Sequence, residues 1–214
     1  MKQHFNIKAL YFLHTKTINV LVVILSIIGI AISGFSVKNG IPRNLLPGEI
    51  NSDSVASVKA FLDVYKVLMS PRCMNCHPAG DRPLQGDSGH IHTMNVQRGK
   101  DGKGLYALKC SNCHQPENAE ANHAPPGNPK WQLPPANMKM VFQDKSAHDL
   151  ALQIMDYSKN GHKNIQQLLE HARDTLVKAG WNMGKSHQPP PLSYQDFVAA
   201  WDTWINTGGY APKQ

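Results

Sequence analysis

The chain has 214 residues and a formal net charge of +7, from 22 Lys and Arg against 15 Asp and Glu. The basic residues are scattered and form no cluster that alternates with aromatics, which excludes a nucleic-acid-binding stripe. The length allows one or two domains, and all four cysteines fall into two closely spaced pairs.

Residues 18–37, INVLVVILSIIGIAISGFSV, are 20 uncharged residues, long enough to cross a bilayer as a helix. Lys2, Lys8 and Lys16 precede this run and no acidic residue does, so the positive-inside tendency keeps the N-terminus cytoplasmic and carries the rest across. A cleaved signal peptide shares that charge pattern, and Ala31-Ile32-Ser33 is a passable cleavage site. The length and branching of the run favour a retained single-pass anchor over 1–38. In both cases the remainder is expected on the periplasmic side of the cytoplasmic (inner) membrane. Residues 39–52, which begin with two prolines and a glycine among nine residues, read as a stalk.

The spacing of Val58, Phe61, Leu62, Tyr65 and Leu68 predicts an amphipathic helix over 53–69, with Asp53 or Ser54 available as its cap and Ser70-Pro71 as its end. Glycine-rich turns make 78–104 mostly loop, and a short helical turn is expected at 105–109. Six prolines between 115 and 140 exclude a helix or central strand there. The apolar Trp131, Leu133, Met138 and Met140 suit that segment to covering a flat apolar group. Helices are expected over 147–157, 164–179 and 193–206, the last with Ser193 as cap, Asp196 three residues on, and Gly208-Gly209 as its stop. The fold class is therefore mainly α with long proline- and glycine-rich loops, and 53–214 reads as one domain.

The two cysteine pairs are Cys73-Met74-Asn75-Cys76-His77 and Cys110-Ser111-Asn112-Cys113-His114. Two residues between thiols let both sulfurs reach the vinyl groups of one porphyrin, and the next residue's imidazole then comes under the iron. Disulfides or one zinc ion would also use four cysteines, but neither explains the histidine after each pair. Two covalent haems c and their irons are expected, held by Cys73, Cys76, His77, Cys110, Cys113 and His114, with Trp131 against the porphyrin. Only 32 residues separate His77 from Cys110, too few to wrap a haem independently. One fused two-haem core is expected, the first haem borrowing walls from the helix before it and from the C-terminal half.

His77 and His114 are the proximal iron ligands in this reading. The candidates for the opposite side are His92, in the loop between the motifs, His171, at the flank of a buried helical stripe, and Met138, after Leu133-Pro134-Pro135. Met140 and His123 stand behind them. A distal histidine gives a low potential, a distal methionine raises it, and a vacant position would admit peroxide. Haem propionates offset part of the positive charge, leaving a mildly basic surface suited to an acidic redox partner.

The run Asn95-Val96-Gln97-Arg98-Gly99-Lys100-Asp101-Gly102-Lys103-Gly104, with Cys110-Ser111-Asn112-Cys113-His114-Gln115, Pro125-Pro126-Gly127 and Trp131-Gln132-Leu133-Pro134-Pro135, resembles a family of periplasmic or membrane-anchored dihaem cytochromes c. Its members are labelled isoquinoline 1-oxidoreductase-like cytochrome subunits, and the resemblance covers residues 60–206. It implies electron transfer through two haems beside a molybdenum-containing dehydrogenase; this chain has no molybdenum-binding signature. The expected function is electron transfer from a membrane or periplasmic dehydrogenase, or a quinol-oxidising partner, to another haem protein or a terminal acceptor. The chain is read as an electron-transfer protein or subunit rather than an enzyme. The alternatives are a dihaem peroxidase with one open haem, disfavoured by the close motifs, and a structural haem-bearing subunit that docks a larger redox complex.

Overall fold

Helix α1, Ser52–Leu68, and helix α6, Tyr194–Asn206, lie at opposite ends of the described chain and make the most extensive helix pairing in it. The computed structural model describes residues 52–214; the expected anchor, and the stalk up to residue 51, lie outside the described residues. On α1 the buried face is Ala60, Phe61, Val64, Val67 and Leu68, one helical turn after another. Leu62 is exposed, so the face is rotated from the expected stripe. Two contacts set the rotation. Phe61 packs on Trp204 with ring centroids 4.5 Å apart, and the buried Ser57 hydroxyl donates to the Trp204 carbonyl at 3.0 Å. Its oxygen in turn accepts from the Tyr210 amide at 3.0 Å.

Helix α6 starts as its sequence predicts. The Ser193 hydroxyl accepts from the Asp196 amide at 3.1 Å, and Phe197, Trp201, Trp204 and Ile205 are buried in helical register. Its end is closed by Gly208 and Gly209, both at positive φ, with the Gly209 amide returning to the Trp204 carbonyl at 2.9 Å. Helix α3, Ala147–Met155, adds Leu150, Ala151 and Ile154 to the same core.

The helix expected over 164–179 is two helices, α4 (Ile165–His171) and α5 (Thr175–Ala179). Asp174 breaks it: its side chain accepts from the Leu176 amide at 2.8 Å, an N-cap that competes with continuing the first helix. Asn164 and Gln167 form a capping box at the start of α4.

Between α1 and α3 the chain is loop-rich but not structureless. A four-residue helix, α2 (Pro71–Met74), carries Cys73. The segment expected to be mostly loop contains a hairpin, β1 (Leu84–Gln85) against β2 (His90–Ile91). The turn expected to be helical at 105–109 is a second hairpin, β3 (Gly104–Leu105) against β4 (Leu108–Lys109). Gly104 permits it: φ is +90°, and a Cβ there would lie 2.3 Å from the Leu108 carbonyl oxygen. Residues 115–140 have no helix or strand apart from a short 3-10 turn at Ala136–Met138, and turn at 122–123 and 129–130.

Arg98 ties these loops together. Its guanidinium is fully buried and donates to the carbonyls of Pro134 at 2.6 Å and Gly80 at 3.2 Å, with Asp81 at 3.6 Å. The described part is thus mainly helical with two small hairpins, and none of its helices is long and apolar enough to cross a membrane.

Candidate functional site

Each Cys-x-x-Cys-His motif folds as one tight turn. In the first, the Cys76 amide returns to the Cys73 carbonyl at 3.2 Å and the His77 amide to Met74 at 2.9 Å. In the second, the Cys113 and His114 amides both return to the Cys110 carbonyl, at 3.2 and 2.9 Å. Pro71 starts the first turn at a helix position where its missing N–H costs nothing.

The two histidines are held in the same way by unrelated segments. His77 directs Nδ1 at the Met140 carbonyl, 2.6 Å away, and stacks face to face on Phe142 at 3.8 Å and 7°. His114 directs Nδ1 at the Pro126 carbonyl, 2.8 Å away, and stacks on Trp131 at 4.1 Å and 10°. Committing Nδ1 to a carbonyl fixes the tautomer and leaves Nε2 as the nitrogen for a metal. Burial pushes the His77 imidazole down to about 4, the largest of several influences, and burial likewise lowers His114. Both rings are therefore neutral at ordinary pH, the form that ligates.

No disulfide joins the four cysteines. Burial pushes the Cys73 thiol up to about 12 and Cys76 to about 11. Among the described residues no group of three or more His, Cys, Asp or Glu converges to hold a metal ion.

A cavity of about 480 Å³ opens at the second motif, lined by Cys110, Cys113, His114, Trp131 and His92. Cys76 of the first motif is also on its wall, so the two motifs are neighbours. His92 stands 6.4 Å from His114 between ring centroids, inclined at 62°, with its own Nδ1 donating to the Thr93 carbonyl at 2.9 Å. A metal–imidazole bond is about 2.0–2.1 Å, so two imidazoles on opposite sides of one metal ion have centroids roughly 6 Å apart. The His92–His114 spacing fits that arrangement.

On the first motif's side, His171 adds a smaller electrostatic influence that lowers the His77 pKa, after burial. His171 ends α4 and lines a second cavity of about 350 Å³ with Gly161, Lys163 and Glu170. Burial and then Lys163 lower its pKa, opposed by Asp174. Met138 lies beside Gly161, its Cγ 3.8 Å from where a side chain on Gly161 would begin, but it does not line that cavity. Met140 acts through its carbonyl on His77, while its side chain packs against the core. His123 lines the larger cavity with His187, their centroids 6.2 Å apart.

No protein-family model, curated protein or solved structure matches the chain.

Phe142 behind His77, the carbonyls of Met140 and Pro126, and Arg72 and His187 in the larger cavity were not singled out in the sequence. An aromatic near a stretch too proline-rich for regular structure was the one available signal for Phe142. The carbonyls carry no side-chain signature.

Proposed function

We propose that residues 53–214 form a two-haem c-type cytochrome unit that transfers electrons between protein partners outside the cytoplasmic membrane, held there by the anchor 1–38. The observation that carries this reading is the duplicated treatment of His77 and His114. Each follows a Cys-x-x-Cys turn, each gives Nδ1 to a main-chain carbonyl, and each is backed by an aromatic ring. Two unrelated segments, 140–142 and 126–131, converge on one arrangement, which fits proximal iron ligands.

Cys73 and Cys76, and Cys110 and Cys113, would hold one haem each, with His171 or Met138 opposite His77 and His92 opposite His114. When bound, the haems supply reversible one-electron exchange at iron. The chain's own residues fix ring orientation, exclude water with Phe142, Trp131 and Leu133, and keep the imidazoles neutral. The wall shared through Cys76 brings the two sites close, which suits electron exchange between them. The resemblance to dihaem subunits that accompany molybdenum-containing dehydrogenases supplies the proposed class of donor.

The test is to mature the full chain in a bacterium with c-type haem attachment, weigh it, and record electron paramagnetic resonance of the oxidised protein. Two covalent haems with two low-spin ferric signals are expected. A chain without covalent haem would overturn the reading. A high-spin signal from one haem would move it to the peroxidase alternative, to be assayed with peroxide.

A further inference from the structure

Arg72 directly precedes the first motif, yet its side chain lines the cavity of the second. It is 3% exposed, so nearly all its hydration is lost. Its donors are poorly satisfied for that depth. One terminal nitrogen is paired with Asp87, the other meets only the Met183 sulfur at 3.7 Å, a weak acceptor, and Nε has no hydrogen-bond partner. Nε is sealed from the cavity, but the terminal nitrogen held only by the Met183 sulfur belongs to a guanidinium that, with Met183, lines the open cavity, and a ligand there can complete its hydrogen bonding.

The charge balance selects the ligand. Asp87 is 35% exposed and its field is partly screened by water, whereas the guanidinium is sealed in. The cavity wall at Arg72 is therefore net positive, and the planar fork suits a carboxylate. His123 and His187 line the same cavity, so imidazole groups are also available to such an anion.

We propose that the Arg72 guanidinium binds a propionate carboxylate of the porphyrin carried by the second motif. This rests on the two-haem reading, and it links the sites: a residue adjoining Cys73 holds the haem attached at Cys110 and Cys113. Aspartate 87 orients the guanidinium from the other side.

The experiment is resonance Raman spectroscopy of the propionate-bending bands in the matured full chain and in Arg72→Leu, Arg72→Lys and Asp87→Asn. One band is expected to move in Arg72→Leu, and to move less in Arg72→Lys, where a one-headed ammonium replaces the fork. That band should be absent from a Cys110→Ala/Cys113→Ala chain, which retains only the first haem, and should move less in Asp87→Asn than in Arg72→Leu, since the guanidinium stays and loses only its orienting partner. If Arg72→Leu does not fold, Arg72→Lys decides alone. Bands unchanged in both Arg72 variants of a two-haem protein would overturn this inference and leave the two-haem reading intact. A shift of the same size in Asp87→Asn would also overturn it, since Arg72 would then act only by holding the Asp87 loop. Wild-type protein without haem would sink the underlying reading instead.

Discussion

His92 and His114 lie with ring centroids 6.4 Å apart in an edge-on arrangement at 62°, each with Nδ1 committed to a main-chain carbonyl. Two rings prepared in this way differ from a chance pair of surface histidines, because both have the same nitrogen left over, and on the proposed reading those two nitrogens would serve one iron. His92→Ala is expected to turn one ferric haem from low to high spin and leave the other low spin. His171→Ala should do the same to the other haem. Paramagnetic resonance of the two variants reads both outcomes, and a low-spin first haem in His171→Ala would transfer that ligand role to Met138.

The stacked aromatics predict a second split. Phe142→Leu removes the ring behind His77 and Trp131→Leu the one behind His114. Each stack holds the imidazole plane, so each variant should change the g values of its own haem more than those of the other. Equal effects of either substitution on both haems would contradict this.

Gly102 offers a test of the loops. Its φ is +82°, and a Cβ would lie 2.0 Å from the Leu133 carbonyl oxygen, against backbone that cannot swing aside. Its own carbonyl accepts from the Leu133 amide at 3.0 Å. Gly102→Ala should push the 131–135 segment off the second motif and lower haem occupancy there, while the first motif keeps its haem. Intact-mass measurement gives the count.

What could be read from the sequence was what is local. The motifs, the cap at Ser193 and the stop at Gly208-Gly209 are set by residues within one turn of each other. The break at Asp174 was hidden because Leu168, Ala172 and Leu176 continue one helical stripe across it, and periodicity does not register a cap inside a stripe. The face of α1 was misjudged by favouring Leu62 over Ala60. Hydropathy weights the larger side chain, but Ser57 and Trp204 bring the helices together on the side where small groups permit approach. The stack of Phe142 on His77 joins residues 65 positions apart, and no local pattern pairs them.

Two substitutions probe the core without touching the motifs. Leu150→Ala empties a fully buried position and is expected to cost about 2–5 kcal/mol. Ser57→Ala strips the Tyr210 amide of its acceptor and should cost about 1–3 kcal/mol. Denaturant unfolding of the matured protein measures both.

The pairing of α1 with α6 also bears on the order of events during synthesis. Ser57 and Trp204 are 147 positions apart, so their contact waits until nearly the whole chain has emerged. Contacts of such long range form late. Both Cys-x-x-Cys-His turns, whose internal hydrogen bonds are short-range, emerge well before the terminal helix arrives. On the proposed two-haem reading, that interval is when both turns are open to an attachment enzyme.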